Sequence, residues 1–431
     1  MENETANLTP TDVDQKAKSS SSSSPQSKRS KKQKLRDRDV AHLKYFDQIA
    51  PLLERLHDVG CQRDIAHNRD LHYDQYCLLI LLFLFNPMVD SLRAIQRASE
   101  LKKVQQRLGC PRTSLGSLSE ATQVFDPELL KPIIAELGAQ LLPIAADKRL
   151  KDIAQTITLV DGTLVSALPS MMEASVLKAE TGSGKIKWRL HTHFEVAKNW
   201  PVRMDLTPDG GGENDERAML SKVLEADRLY VMDRGYAKFA LFNQIVSSKS
   251  SYVCRLRDNS VWEVAESRFR NETAAEGEII SDEIVRFTSS KGSRAPDHRV
   301  RVICIRCQPH DASGKHTGTR GVDSDGILRI ATNLLDVPAE IIGLIFSHRW
   351  AIEIFFRFFK QMLGCRHLIS HDPVGIEIQT YCAIIACLLI SLWTGRKPTK
   401  ATYEMICYYF IGLASEEELL RHLAKLKPHP A

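Results

Sequence analysis

Two short apolar runs that each end in an aspartate are the strongest constraint on how this chain folds. Ile157–Val160 is followed by Asp161, and Leu229–Met232 is followed by Asp233. Apolar runs of four or five residues bounded by polar residues are typical of buried strands. In an α/β sheet, the side chains at strand ends line the crevice in which ligands bind. The sequence therefore predicts two buried strands that each carry an acid to such a crevice.

The segment between these runs completes the pattern of an α/β sheet. Arg189–Val196 alternates apolar and polar residues, and Val202–Leu206 follows after a turn, which predicts a hairpin of two strands. Asn214–Ala226 has helical periodicity, and Asn214 is the expected cap. Strands that alternate with helices indicate an α/β fold.

The chain before residue 151 has a different character. Apolar residues recur at three- and four-residue steps over 41–150, which predicts a helical N-terminal domain. Ser91–Val124 has the length and the central Gly-Cys-Pro turn of a helix-turn-helix. An ordinary helical bundle has the same pattern, so DNA-end binding by this domain is one of two interpretations.

Residues 1–40 predict a disordered basic tail. They contain an unbroken serine run, Ser19–Ser24, and a basic cluster at 28–38 with seven basic side chains and one Asp. This cluster exceeds the whole formal net charge of +5, so the remaining chain is close to neutral. Such a segment buries too little apolar area to fold. Its role is either to keep the protein in solution or to bind phosphates non-specifically.

The second half of the chain predicts a β-rich stretch and then helices. Residues 252–331 alternate like antiparallel strands with polar loops between them. Asp336 and Pro338 predict the start of one long helix. Residues 377–393 and 401–426 also have helical periodicity. The longest apolar runs fall far short of the roughly 20 residues that a bilayer span requires. The chain also opens without a secretory signal, so we expect a cytoplasmic protein without a membrane partner.

The third acid of interest is Glu353. At about 100° per residue, it shares one helical stripe with Phe346, Arg349, Arg357 and Lys360, beside an apolar stripe that predicts the core face. Ion pairs of i,i+4 spacing on a solvated helix would explain the same charges. Likewise, Asp161 and Asp233 could each be only turn or cap residues.

Three carboxylates from a sheet and a neighbouring helix could together hold two divalent cations. Two such ions activate an attacking oxygen and stabilise the leaving oxygen when a phosphodiester is cleaved. Oxygen ligands suit Mg²⁺, which takes substrate phosphate as a further ligand. Arg349 and Lys360 would then lie where they can bind backbone phosphates.

At these residues the chain resembles the bacterial DDE transposases of the insertion-sequence-four family. The matching motifs are Val160-Asp161-Gly162-Thr163, Asp233-Arg234-Gly235-Tyr236, and a third block with the spacing Tyr, two residues, Arg, three residues, Glu, six residues, Lys. The third block falls on Phe346, Arg349, Glu353 and Lys360, with Phe in place of Tyr. The resemblance covers roughly residues 115–395.

The resemblance implies an α/β fold with a ribonuclease-H-like catalytic core. That core would comprise residues 151–251 and 332–395, interrupted by the β-rich insertion 252–331 and preceded by the helical N-terminal domain. Residues 396–431 would form a C-terminal helical segment. Asp161, Asp233 and Glu353 would be the catalytic and metal-binding residues, with two Mg²⁺ ions that Mn²⁺ can replace.

The function that follows is cut-and-paste DNA transposition. Such an enzyme binds the terminal inverted repeats of its insertion sequence, cleaves there and joins the 3′-hydroxyl ends to target DNA. The resemblance also implies a homodimer in the synaptic complex and a location at the bacterial nucleoid. The residues expected to contact DNA are Arg234, Tyr236, Arg349, Trp350, Arg357 and Lys360. A domesticated DNA-binding protein without catalysis and a Mg²⁺-dependent nuclease without strand transfer remain the alternatives.

Overall fold

The structure is a computed structural model. It describes residues 46–59, 61, 63–65, 69–141, 147–165, 188–208, 210–268, 273–274, 277–287, 295–307, 326–364, 369–370, 372–395 and 399–425. The predicted basic tail, 1–40, lies outside the described residues.

The N-terminal region is helical, as the sequence predicts. Its helices are α1 (Phe46–Glu54), α2 (Leu56–Val59), α3 (Tyr73–Phe85), α4 (Leu92–Ser99), α5 (Lys102–Leu108), α6 (Leu115–Val124) and α7 (Leu130–Gln140). Helix α3 is apolar around its whole circumference and is buried almost throughout, which is the pattern of a central helix. Ser91 and Ser114 cap α4 and α6 by accepting backbone N–H bonds.

Ten strands of the described chain form one mixed sheet. They are β1 (Thr156–Val165), β2 (Trp188–Glu195), β3 (Trp200–Pro208), β4 (Arg228–Met232), β5 (Ser251–Arg255), β6 (Trp262–Ser267), β7 (Thr273–Ala274), β8 (Gly277–Phe287), β9 (Val300–Cys307) and β10 (Ile327–Thr332). The order across the sheet is β3-β2-β1-β4-β5-β10-β9-β8-β6, and β7 pairs with β8. The α/β prediction is therefore confirmed.

The first five strands combine a hairpin with parallel strands. β2 and β3 are antiparallel neighbours, which confirms the predicted hairpin. β1 pairs in parallel with β4, and β4 in parallel with β5. Two helices join these strands, α8 (Glu216–Lys222) before β4 and α9 (Phe239–Ser247) before β5. The cap of α8 is Asp215 and not the predicted Asn214.

The predicted β-rich stretch continues this sheet. The sequence predicts β5 as an antiparallel strand, but it is parallel to β4, because α9 returns the chain to the starting edge; it is antiparallel to β10. β10, β9, β8 and β6 then follow as antiparallel neighbours. The antiparallel half therefore forms one hydrogen-bonded sheet with the parallel half.

The helix predicted to start near Asp336 is two helices, α10 (Ala339–Ser347) and α11 (Trp350–Gly364). Between them the Arg349 amide donates to the carbonyl of Phe346, three residues back, which tightens the turn and separates the helices. Phe346 therefore lies on a different helix from Glu353, and the single stripe predicted from the sequence is divided.

Three further helices complete the described chain, α12 (Pro373–Thr394), α13 (Lys400–Phe410) and α14 (Glu416–Lys425). Among the described helices, α12 alone is long and apolar enough to cross a membrane, but 83% of its most apolar window is buried inside the protein. It packs against α3, α7 and α11. These contacts make α12 a core helix.

Two apolar cores lie on opposite faces of the sheet. Leu159, Val231 and Val253 belong to the larger core, which includes the N-terminal helices, α11 and α12. The residues beside them in sequence, such as Val160 and Met232, belong to the second core with α8 and α9. This alternation is the period-2 pattern of strands buried on both faces.

Candidate active site

Asp161 and Asp233 lie on adjacent parallel strands at matching positions. Val160 pairs with Met232 in the β1–β4 register, so the next residue on each chain is one of the two aspartates. Asp233 directly follows β4, as predicted. Asp161 does not end its strand, because β1 continues to Val165 by pairing with β2 after its pairing with β4 has stopped.

The alternation of the strands directs both aspartates toward the same side of the sheet. Asp161 follows Leu159 by two residues and Asp233 follows Val231 by two, and both of these apolar residues belong to the larger core. Helix α11, which carries Glu353, packs against β1 on that side. The three predicted acids therefore converge on one region at the end of the parallel strands.

Asp161 is a partly buried carboxyl with an unusual pKa. Burial raises its pKa to about 6, although the Gly162 amide and the Arg349 guanidinium favour the charged form. The negative charges of Glu216 and Asp233 add to the rise. The Gly162 N–H donates to Oδ1 of Asp161 at 2.8 Å. Like charges held together in this way attract cations.

Asp233 has an oxygen without a hydrogen-bond partner. Its Oδ1 atom is buried and accepts no hydrogen bond within the described part of the chain. Arg255 on β5 is an ion-pair partner of Asp233, with its Nη1 atom 4.0 Å from Oδ1. Unsatisfied buried polar atoms are rare in folded proteins, and a role in holding an ion is one recognised explanation.

Glu353 is paired with Arg349. The Nη1 atom of Arg349 lies 2.5 Å from Oε1 of Glu353, and the Arg349 side chain is only 12% exposed. The guanidinium also lies over the rings of Phe346 and Trp350. The sequence predicts that Arg349 faces DNA phosphates, but in this structure it forms the i,i+4 ion pair that was the alternative interpretation.

A fourth carboxylate, Glu216, lies at the same end of the sheet and was not identified from the sequence. Its N-terminal position in α8 agrees with the predicted helix start, but its side chain reaches Gly162 and pairs with Arg189 of β2. A Cβ atom at Gly162 would lie 2.6 Å from Oε1 of Glu216. The glycines in the Asp-Gly and Asp-Arg-Gly motifs were the available signal, because both lie against this carboxylate.

The remaining basic and aromatic residues predicted on α11 are exposed. Lys360 and Arg357 are exposed, and the Trp350 side chain is open to solvent together with Ile354 one turn further on. These four residues give α11 an accessible surface of cationic and apolar side chains.

Arg234 and Tyr236, the predicted DNA contacts of the second motif, differ in their surroundings. Arg234 is half-buried and lines a cavity of about 530 Å³ with Arg257 and Asn259. Tyr236 is 2% exposed and packs in the second core. The Tyr236 ring thus packs within the protein, and the DNA contact expected of it stays a prediction.

The donor set fits a hard divalent cation. Asp161, Asp233 and Glu353 supply carboxylate oxygens, which Mg²⁺ and Mn²⁺ prefer. The specific observation that favours such an ion is Oδ1 of Asp233, a buried oxygen that accepts no hydrogen bond in the described part of the chain. The Cys254 thiol donates to the backbone carbonyl of Asp233 and not to its carboxylate.

A second group of metal-ligand types, His57, Asp58 and His72, lies in the N-terminal helical region. The two imidazole rings are stacked with centroids 3.6 Å apart and planes 7° apart. The nitrogen lone pairs of an imidazole lie in the plane of its ring. Two stacked rings therefore direct their lone pairs along parallel planes and not toward one ion. His57 instead hydrogen-bonds to Asp74 through its Nδ1 atom, and ring packing and hydrogen bonding explain the group.

Residues 153–389 match the family described as the transposase DDE domain. This region is more than half of the 431 residues. The chain belongs to this family, and the insertion-sequence-four resemblance fits it.

Curated relatives carry transposase names. A protein of Sinorhizobium fredii named as transposase y4zB is 26% identical over 214 residues, 49% of this chain and 54% of that protein. A Geobacillus stearothermophilus protein named as the transposase of insertion sequence element IS5377 is 22% identical over 294 residues, 68% of this chain and 71% of that protein. The match therefore spans about half the length of the first relative.

Among solved structures, a piggyBac transposase synaptic complex with hairpin DNA aligns with 90% of this chain and 84% of that chain. The sequence identity is 11% and the TM-score is 0.37. This likeness is too low to support an argument about the site.

Proposed function

We propose that this chain is a DNA transposase that cleaves the ends of its insertion sequence and joins the 3′-hydroxyl ends to target DNA. The observation that carries the proposal is the convergence of Asp161, Asp233 and Glu353 within a transposase DDE domain. The two aspartates follow paired residues of adjacent parallel strands, and Glu353 lies on the helix that packs against the first of them. The order of the first five strands supports a ribonuclease-H-like core.

The three carboxylates would hold two divalent cations, Mg²⁺ or Mn²⁺. When bound, such ions activate the attacking oxygen and stabilise the leaving oxygen of a phosphodiester. Asp161 and Asp233 are fixed by the rigid sheet, and Glu353 is oriented by its ion pair with Arg349. The pair also keeps Arg349 next to the acids, where the guanidinium favours the charged form of Asp161.

The surface around the acids supports DNA as the substrate. Arg357 and Lys360 are exposed on α11, beside Trp350, which offers an aromatic face to a base or sugar. The cavity lined by Arg234, Arg257 and Asn259 lies next to Asp233 and could accept a backbone phosphate. The partners we propose are the terminal inverted repeats, target DNA and a second copy of the chain in a synaptic complex at the nucleoid.

Glu353→Gln tests this function. The change removes one carboxylate with almost no change in shape, so we expect end cleavage to be lost while binding to the element ends stays near that of the wild type. Cleavage and binding are measured on the same preparations with DNA carrying the element ends. Glu404→Gln, an exposed helix glutamate paired with Lys400, is the matched control and should cleave normally.

Three other results would each contradict a different part of this proposal. Loss of end binding in Glu353→Gln would make Glu353 a structural ion-pair partner. Absence of cleavage by the wild type with Mg²⁺ or Mn²⁺ would indicate a domesticated DNA-binding protein. Cleavage without joining of pre-cleaved ends to target DNA would indicate a nuclease.

A further inference from the structure

Arg255 occupies the third position in the row of strand ends that carries Asp161 and Asp233. In the parallel β4–β5 register, Met232 pairs with Cys254. The next residues on these two strands are Asp233 and Arg255. The β1–β4 register relates Asp161 to Asp233 in the same way. Two carboxylates and one guanidinium therefore lie at matching positions of three adjacent parallel strands.

The side chain of Arg255 is directed toward the same face of the sheet as the two aspartates. Val253, two residues earlier on β5, belongs to the larger core, whereas Cys254 between them belongs to the second core. Arg255 also pairs with Ile330 of β10, another residue of the larger core, and paired residues of neighbouring strands point to one face. The contact agrees with this orientation, since Nη1 of Arg255 lies 4.0 Å from Oδ1 of Asp233.

Arg255 has donors to spare, unlike the structural arginine of the same sheet. Its 4.0 Å ion pair is longer than a hydrogen bond, and its side chain donates no hydrogen bond to any residue of the described chain. Arg301 on β9, by contrast, donates to both carboxylate oxygens of Asp282 and to backbone carbonyls before α10. The Arg255 side chain is 26% exposed, so a further acceptor can reach its guanidinium from solvent.

A phosphate is the acceptor that suits this position. Once Asp233 is a ligand of a divalent cation, its carboxylate no longer neutralises Arg255. Two positive charges this close repel each other unless an anion lies between them. A phosphodiester is such an anion, because one of its free oxygens can bind the cation while the other accepts hydrogen bonds from a guanidinium.

We propose that Arg255 contacts DNA at the active site and binds the phosphate at the cleavage position, on the side of Asp233 that faces β5. This inference rests on the proposed function, because it takes Asp233 as a cation ligand. It adds a phosphate contact on the sheet to those expected on α11. Before DNA binds, the ion pair with Asp233 holds the guanidinium at this place.

Binding to DNA with the element ends tests the inference, with either a normal phosphate or a neutral methylphosphonate at the cleavage position. Ca²⁺, which takes the same oxygen ligands, is the cation. We expect Arg255→Gln to weaken binding to the normal DNA about 10-fold, the lower end of the effect of a hydrogen bond to a charged group. The variant and the wild type should bind the methylphosphonate DNA alike, because the charge that Arg255 recognises is gone. Arg306→Gln, an exposed arginine of the same sheet paired with Glu278, should bind both DNAs like the wild type.

Two results overturn the inference. Equal binding of the normal DNA by Arg255→Gln and the wild type would show that Arg255 does not contact this phosphate. Equal loss on both DNAs would mean that Arg255 supports the fold and does not act through the phosphate charge. Arg255→Lys keeps a positive charge beside Asp233 and gives the same comparison if Arg255→Gln fails to fold. It should show a smaller loss, again on the normal DNA alone, because an ammonium cannot donate bidentately.

Cleavage and Mn²⁺ binding separate this inference from the proposed function. A wild type that binds the ends but does not cleave them with Mg²⁺ or Mn²⁺ contradicts the proposed function, whereas the comparison of the two DNAs decides the contact of Arg255. If the wild type cleaves and Arg255→Gln loses equally on both DNAs, the proposed function stands and the inference about Arg255 alone is wrong. Mn²⁺ binding without DNA should not weaken in Arg255→Gln, and weaker binding would instead make Arg255 a residue that orients Asp233.

Discussion

Burial raises the pKa of carboxyl groups at more than one place in this protein. Asp161 lies in a group of acids that attracts cations. Glu377 on α12 is remote in sequence from these motifs, yet burial and the negative charge of Glu128 raise its pKa to about 7. A raised pKa by itself is therefore no proof of an active site.

Glu377 gives a prediction at this scale. Folding raises its pKa from the ordinary 4.5, so the protonated form is favoured in the folded state. The resulting contribution to stability is fully present below pH 4.5 and is lost as the pH rises through about 7. Glu377→Gln, which is neutral at every pH, should therefore stabilise the protein by about 1 kcal/mol at pH 5.5 and, because solvent screens a half-buried group, by at most about 3 kcal/mol at pH 8.5.

Denaturant unfolding of both proteins between pH 5.5 and 8.5 measures this difference. Glu136→Gln, an exposed glutamate paired with Arg55, should show no such pH dependence. A constant difference across the pH range would show that Glu377 does not titrate there in the folded protein.

Helix boundaries show at the element scale which signals are local. Helix α12 begins at Pro373, four residues before the predicted start at 377, because the Asp372 side chain caps it by accepting hydrogen bonds from the amides of Val374 and Gly375. The break between α10 and α11 has no such sequence signal. The break lies at a tight turn in which the Arg349 amide donates to the Phe346 carbonyl, and the Arg349 side chain forms an ion pair with Glu353.

The cap of α12 can be tested directly. Asp372→Ala removes both side-chain hydrogen bonds, so we expect a loss of about 1 kcal/mol in the free energy of unfolding. Asp372→Asn keeps an acceptor oxygen and should stay close to the wild type. The midpoints of thermal and urea unfolding measure both variants, and equal loss in the two would point to the charge of Asp372 instead of its cap.

At the scale of the whole molecule, one sheet joins regions that the sequence separates into a core and an insertion. The buried pair of Arg301 on β9 and Asp282 on β8 belongs to this joining, because Arg301 also donates to the carbonyls of Leu334 and Val337 that precede α10. The division into core 151–251 and 332–395 and insertion 252–331 remains a proposal. β5 and β10, at the two ends of the insertion, pair with each other.

The basic cluster at 28–38 leads to a prediction for the whole chain. Deletion of residues 1–38 removes nine basic and five acidic side chains, a net charge of +4 out of the formal +5 of the protein. We expect weaker non-specific DNA binding and a salt dependence whose log–log slope falls by about 0.9 for each phosphate that the shortened protein no longer neutralises. Binding to DNA without element ends, measured from low to moderate salt, gives the slope, and an unchanged slope would show that the tail does not bind DNA.

The sequence by itself determined the α/β class, the helical N-terminal region, the hairpin and the position of each acid along the chain. These features are local, because they depend on periodicity and on residues that start or end helices and strands. The tertiary structure decided the β1–β4 register that aligns Asp161 with Asp233, the burial of Tyr236 and the pairing of Arg349 with Glu353. It also decided the approach of Glu216 to Gly162 across the sheet, because contacts between separate elements are set by packing and leave no period in the sequence.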